Sequence, residues 1–163
     1  MSTWSIQEQE ASIKATTINA GFVSSLTGCL LFEELSSKWL QVTALSYFFE
    51  ISILVCCILF LRKAAKTPQL LSFGWRKREI YGNYQDEYLR SGFQQASTVA
   101  FQITIIVALV GYLCSDLIAK NGDPSWVFDK HFLLLSVFVG NLTFYLKLRQ
   151  MFHDQDDQDE QPE

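Results

Sequence analysis

Charge is scarce in this sequence. Only 18% of its 163 residues are Asp, Glu, Lys or Arg, against about a quarter in a typical soluble domain. Proline is scarcer, with three in the chain, so long helices can run without interruption. The two histidines, His131 and His153, lie far in sequence from every cysteine, which removes the usual zinc spacings. There is no Gly-rich phosphate loop, no nucleophile elbow and no cluster of His and acids at metal-ligand spacing. Enzyme chemistry is therefore the least supported class, and neither catalytic residue, cofactor nor metal is expected. The first twenty residues also lack the basic segment and cleavage site of a secretory signal. The first apolar segment is expected to be retained.

What is present is apolar and comes in blocks. Hydrophobic residues make up 49% of the chain, including 13 Phe, and the mean hydropathy is +0.13. That argues against both a disordered chain and an ordinary soluble globule. The cysteines Cys29, Cys56, Cys57 and Cys114 all lie inside apolar runs, and they read as small buried hydrophobes. A disulfide between the adjacent Cys56 and Cys57 is geometrically unfavourable.

Crossing the hydrocarbon takes about 20 mostly apolar residues, and four segments have that character. The clearest runs from Trp39 to Leu61 and stops at Arg62 and Lys63. A third covers about 96–115 and a fourth about 130–148. The first, about 15–35, is the most polar, with Thr16, Thr17, Asn19, Ser24, Ser25 and Thr27. Joined by a short turn to a strong second span, it reads as half of a helical hairpin. The fold class is therefore all-α, a polytopic membrane protein of four transmembrane helices forming two sequential hairpins. Residues 1–163 make a single membrane domain, with a loop over 62–95.

Basic residues set orientation. Of the 13 Lys and Arg, all but Lys38, Lys120 and Lys130 fall before the first span, at the close of the fourth, or in the 62–95 loop. Both termini and that loop are expected in the cytoplasm. Trp39 and Trp126 then sit near the outer interface, where amphipathic rings prefer to lie.

Two stretches line up without gaps. Gln9-Glu10 matches Gln85-Asp86, Ile13-Lys14 matches Leu89-Arg90, and Ala20 matches Ala96. Each stretch precedes a span, a turn and a second span ending in basic residues. A parallel internal repeat relating the two hairpins follows, with a pseudo-two-fold axis along the membrane normal. The spacing predicts helical i,i+4 ion pairs, Glu10 with Lys14 and Asp86 with Arg90, acid first in each.

This layout resembles small four-span bacterial inner-membrane proteins of unknown function. Many of these carry an Asp-Glu-x-x-x-Arg or similar charged segment before the third span. The segment here is Asp86-Glu87-Tyr88-Leu89-Arg90, followed by Ala96; Tyr88 stands where such families often have Arg. The resemblance implies a bacterial inner-membrane location and a non-enzymatic or unassigned role. It supplies no catalytic residue.

Several polar or small residues inside the spans are candidates for function. Ala20, Ser24 and Gly28 form one row on the first span, and Gly21, Ser25 and Cys29 a second. Such rows let helix backbones approach closely. Packing against the third or fourth span and homodimerisation both account for them. Glu50 is the one acid well inside a strong span, and charge at that depth defaults to a functional hypothesis. It serves either as a proton or cation site, or as a neutral carboxyl bonded to Gln102, Asn141 or Thr104. Asn141 begins a glycosylation sequon, but at membrane depth Gln102 and Asn141 read instead as interhelical hydrogen-bonding groups. Glu33 and Glu34 fall at the outer end of the first span and read as solvated.

The 62–95 loop interleaves Arg76, Lys77 and Arg78 with aromatics, which suits an anionic inner leaflet better than nucleic acid. The 153–163 tail has no apolar residue except Pro162 and is expected to be disordered. Its acids, Asp154, Asp156, Asp157, Asp159, Glu160 and Glu163, account for more than the chain's net charge of −4; the remainder is basic. The partners expected are a bilayer with anionic lipids, a second copy, or another membrane protein. The leading reading is an accessory, sensory or immunity-like membrane partner acting through helix packing and the 62–95 loop. The alternative is a small transporter or channel subunit that uses Glu50.

Overall fold

The computed structural model describes residues 5–67, 70, 81–119 and 125–159, with the side chains of 38–39, 115–119, 125–130 and 153–159 left aside. Arg76, Lys77, Arg78, residues 160–163 and the side chain of Trp126 therefore lie outside what is described. Among the described residues the chain is all-helical, and four helices are long and apolar enough to cross a membrane.

Helix α1 (Ile6–Leu35) starts at a capping box. The Glu8 N–H donates to Ser5 Oγ at 3.3 Å and the Ser5 N–H to Glu8 Oε2 at 3.0 Å, so two donors without helical partners are satisfied at once. Its polar residues do not weaken it as a span. Thr16, Thr17 and Thr27 each donate their hydroxyl to a carbonyl four residues back in the same helix. At the far end Ser36 Oγ donates to Phe32 O at 2.6 Å. A π-helical turn (Ser36–Leu40) follows, and Gln41, in the left-handed region at φ 52°, reverses the chain.

Helix α2 (Thr43–Lys66) returns antiparallel. Helix α3 (Glu87–Ala119) and helix α4 (Ser125–Asp159) make the second hairpin. Helix α4 continues through seven residues of the tail expected to be disordered. Extending a helix already formed adds one backbone hydrogen bond per residue without a new nucleation cost, so lack of a burial face does not by itself stop it.

The helices pack in the order α2–α1–α4–α3. Helix α1 lies between α2 and α4, and α3 packs mainly on α4. Accordingly 39% of the most apolar stretch of α1 is buried, against 6% for α2 and 6% for α3. The most polar span thus sits innermost, and the two most apolar spans take the lipid-facing flanks. This is what a bilayer selects, since lipid tails solvate Leu and Ile as well as protein does.

The contacts along each pair fix an antiparallel register. Between α1 and α2, Phe22 stacks on Phe60 at 4.0 Å and Phe32 on Phe49 at 5.7 Å. Between α1 and α4, a Cβ on Gly21 would lie 3.0 Å from the Tyr145 ring, and one on Gly28 2.8 Å from Phe138. Helices α3 and α4 approach as closely where Gly140 faces Thr104. The row Ala20, Ser24 and Gly28 is buried and serves intramolecular packing, Gly28 meeting the fourth span; of the second row Gly21 meets Tyr145, while Ser25 is exposed and Cys29 half-buried.

Candidate functional site

Three places concentrate polar groups. The first is the junction at the basic end of the bundle. Gln9, 1% exposed, turns its side-chain carbonyl to the segment leading into α3. It accepts from the Gln85 N–H at 2.7 Å and the Asp86 N–H at 3.2 Å. Asp86 in turn accepts from the Leu89 N–H at 3.0 Å, the geometry of a helix N-cap. Beneath these bonds lies a core of Ile13, Tyr84, Leu89, Phe93, Leu148 and Met151. Tyr88 Oη donates to Met151 O at 3.0 Å, fastening α3 to α4. Gly82 turns the chain at φ +61°, and a side chain there would run into Phe93.

The charged pairs expected on these lead-ins are arranged otherwise. No ion pair joins Glu10 to Lys14 or Asp86 to Arg90 among the described residues. Asp86 precedes the first turn of α3, and its carboxylate caps the helix. A cap contributes about 1 kcal/mol, more than the ~0.3–0.5 kcal/mol of an exposed i,i+4 pair. The Lys14 ammonium lies 5.8 Å from the centre of the Phe152 ring on α4.

The second place is the opposite end. His131 Nε2 and Glu34 Oε2 are 3.0 Å apart, with side chains only 7% and 14% exposed. Ser46 Oγ donates to Glu33 Oε1 at 3.0 Å. These contacts tie α1 to α4 and α1 to α2. Glu34, expected to be solvated, is largely covered, because α4 begins beside it. Sequence reasoning missed the pair. Its signal is an acid at the close of one span and a histidine at the start of another, on the same side of the membrane.

The third is Glu50. It lies eleven residues before Leu61, roughly 16 Å along the helix at 1.5 Å per residue, close to half of a ~30 Å hydrocarbon layer. It is exposed on α2 between exposed Tyr47, Ile51 and Leu54. The expected bonds to Gln102, Asn141 or Thr104 do not form. Thr104 donates to Ala100 O and Asn141 to Val137 O, each within its own helix, and Gln102 is exposed on α3. The cause is helix order: α2 packs on α1, whereas Gln102 and Asn141 belong to the α3–α4 pair.

Among the described residues no group of three or more His, Cys, Asp or Glu is placed to hold a metal, and the four cysteines are free thiols. Beyond the packing interfaces, a crevice of about 310 Å³ is lined by Ile18, Gly21, Ser24, Ser25, Lys63, Leu142 and Tyr145. No protein-family model, no curated protein and no solved structure matches this chain.

Proposed function

We propose that this chain is a non-enzymatic, multi-pass membrane protein that works as an accessory partner, associating with another membrane helix through the outward face of α2. One observation carries the reading: Glu50 stands at mid-membrane depth on an exposed face with no partner among the described residues. A charge there costs about 2.5–3.5 kcal/mol on insertion scales. A hydrogen-bonding group on a facing helix offsets part of that cost. The same face repeats exposed Tyr47, Ile51, Leu54, Ile58 and Leu61, the four–three spacing of a helix-pairing seam.

The setting belongs to the same reading. Lys14 in α1, Arg62, Lys63 and Lys66 closing α2, and Lys147 and Arg149 in α4 support an orientation with both termini cytoplasmic; a bacterial inner membrane is what the resemblance of the layout implies. The connection between α2 and α3 is shorter than the 62–95 loop expected, because 62–66 belong to α2 and 87–95 to α3; its basic residues Arg76, Lys77 and Arg78 suit an anionic leaflet better than nucleic acid. The parallel repeat stays a reading of the sequence: its axis would exchange α1 with α3 and α2 with α4, so the α1–α4 interface would need an α2–α3 counterpart, whereas α2 and α3 pack on opposite flanks. The outward aim of Glu50 favours association over a path through one copy; a transporter built on this residue would conduct between copies.

The test places a photo-crosslinking amino acid at Leu54 in native membranes. Adducts with one discrete membrane protein, this chain included, are expected from the parent and from Glu50→Gln, and are lost in Glu50→Leu. Adducts with lipid alone overturn the proposal.

A further inference from the structure

The crevice beside Lys63 is not a packing defect. It forms because α1 presents small residues where α2 and α4 flank it, leaving Gly21 and Ser24 recessed between two bulkier neighbours. Its volume of about 310 Å³ falls within the range of small-molecule sites, roughly 300–1,000 Å³. Exposed Ser25 and Lys63 make it reachable from outside the bundle. Its walls are graded. Its basic-end lining includes Ile18, Lys63 and Tyr145, and Arg149, outside the lining, donates from Nη1 to the Tyr145 hydroxyl at 3.5 Å. Gly21 lies against the Tyr145 ring, and about one turn deeper into the span the lining is Leu142, Ser24 and Ser25.

Among the described residues no carboxylate lies within ion-pair distance of Lys63 or Arg149. Two cations and a phenol at the end of a span, above a cleft of apolar and small groups, match a phosphate linked to an acyl chain. Basic pockets between helices near a membrane surface recognise anionic headgroups in this way. A second crevice at the same end, between α3 and α4, is lined by Lys147, Gln95 and Gln150 and lacks the apolar depth.

We propose that the crevice between α1, α2 and α4 is a binding site for an anionic phospholipid, with Lys63 and Tyr145 holding the phosphate and the Gly21–Leu142 cleft holding the first part of an acyl chain. The site rests on the basic helix ends lying at an anionic bilayer surface, and it is independent of the partner assigned to Glu50.

The experiment is native mass spectrometry of the full chain, released from detergent after incubation with phosphatidylglycerol, phosphatidylcholine or inorganic phosphate. The parent is expected to retain one phosphatidylglycerol in preference to phosphatidylcholine. Lys63→Gln should weaken retention about fivefold, since one basic contact near the surface is worth about 1 kcal/mol. Ser25→Trp, which fills the cleft from an exposed position, should abolish retention while melting like the parent. Equal retention of both lipids, or retention unchanged by both variants, overturns the site. Inorganic phosphate competing as well as the lipid overturns the acyl-chain assignment. A triple variant, Arg76→Gln, Lys77→Gln and Arg78→Gln, separates the premises. Loss of retention there with Lys63→Gln unaffected leaves the anionic surface standing and removes the crevice.

Discussion

The side-chain carbonyl of Gln9 accepts the backbone N–H of Gln85 at 2.7 Å, 76 residues along the chain. That bond, with its companion to the Asp86 N–H, ties the start of the first hairpin to the start of the second. In Gln9→Leu both N–H groups lose their acceptor in a part-buried site. Each unmet donor costs about 1–3 kcal/mol. Unfolding in detergent should shift accordingly, and hydrogen exchange at the Gln85 and Asp86 amides should quicken more than at Leu45 or Thr104. Unchanged exchange at those two amides refutes the tie.

The α1–α4 interface makes a steric prediction. A Cβ on Gly28 would sit 2.8 Å from the Phe138 ring, too close for a real contact. Gly28→Val should therefore push the helices apart or tilt the ring, at a cost of about 1–3 kcal/mol. Phe138→Leu in the same chain gives back space and should recover much of the loss. Thermal melting of the two single variants and the double variant decides it; additive losses count against direct contact.

These two relationships also show what the sequence makes legible. Helices α2 and α3 can be read from hydropathy alone, because lipid covers most of their surface and composition records lipid exposure directly. Helix α1 is less legible: Thr16, Thr17 and Thr27 count as polar, yet each hydroxyl is satisfied by its own helix. The rows through Gly21 and Gly28 correctly announce close packing. They do not say against which helix, since every span offers a side to meet. The same gap explains Glu50. Its depth follows from counting residues to Leu61, but its neighbours depend on helix order, which no local pattern encodes. Asp86 misleads for another reason: its spacing to Arg90 suits an ion pair, while its position one residue before α3 makes capping the stronger use.

The contact between His131 and Glu34 joins α1 to α4 at the end opposite Gln9. Both side chains are largely buried, so removing either leaves the other in a site built for a partner. His131→Ala and Glu34→Ala should each destabilise by about 1–3 kcal/mol. The double variant should cost less than their sum, with a coupling of at least ~0.5 kcal/mol. Strict additivity in a detergent unfolding cycle means the 3.0 Å approach contributes nothing.

The helix order itself is open to test by crosslinking. In a chain with Cys29, Cys56, Cys57 and Cys114 replaced by Ala, pairs of new cysteines report which spans touch. A Cβ on Gly140 would lie 3.4 Å from that of Thr104, close to the ~3.8 Å of a disulfide, so Gly140→Cys with Thr104→Cys should oxidise readily in membranes. Ala15→Cys with Ala64→Cys, from one buried cluster between α1 and α2, should do likewise. Glu50→Cys with Gln102→Cys should form no bond within a chain, because α2 and α3 lie on opposite flanks of the α1–α4 pair. An intrachain disulfide in that last variant would mean the spans close into a compact four-helix bundle, with Glu50 facing inward after all. A disulfide between two chains would instead place those flanks against each other in neighbouring copies.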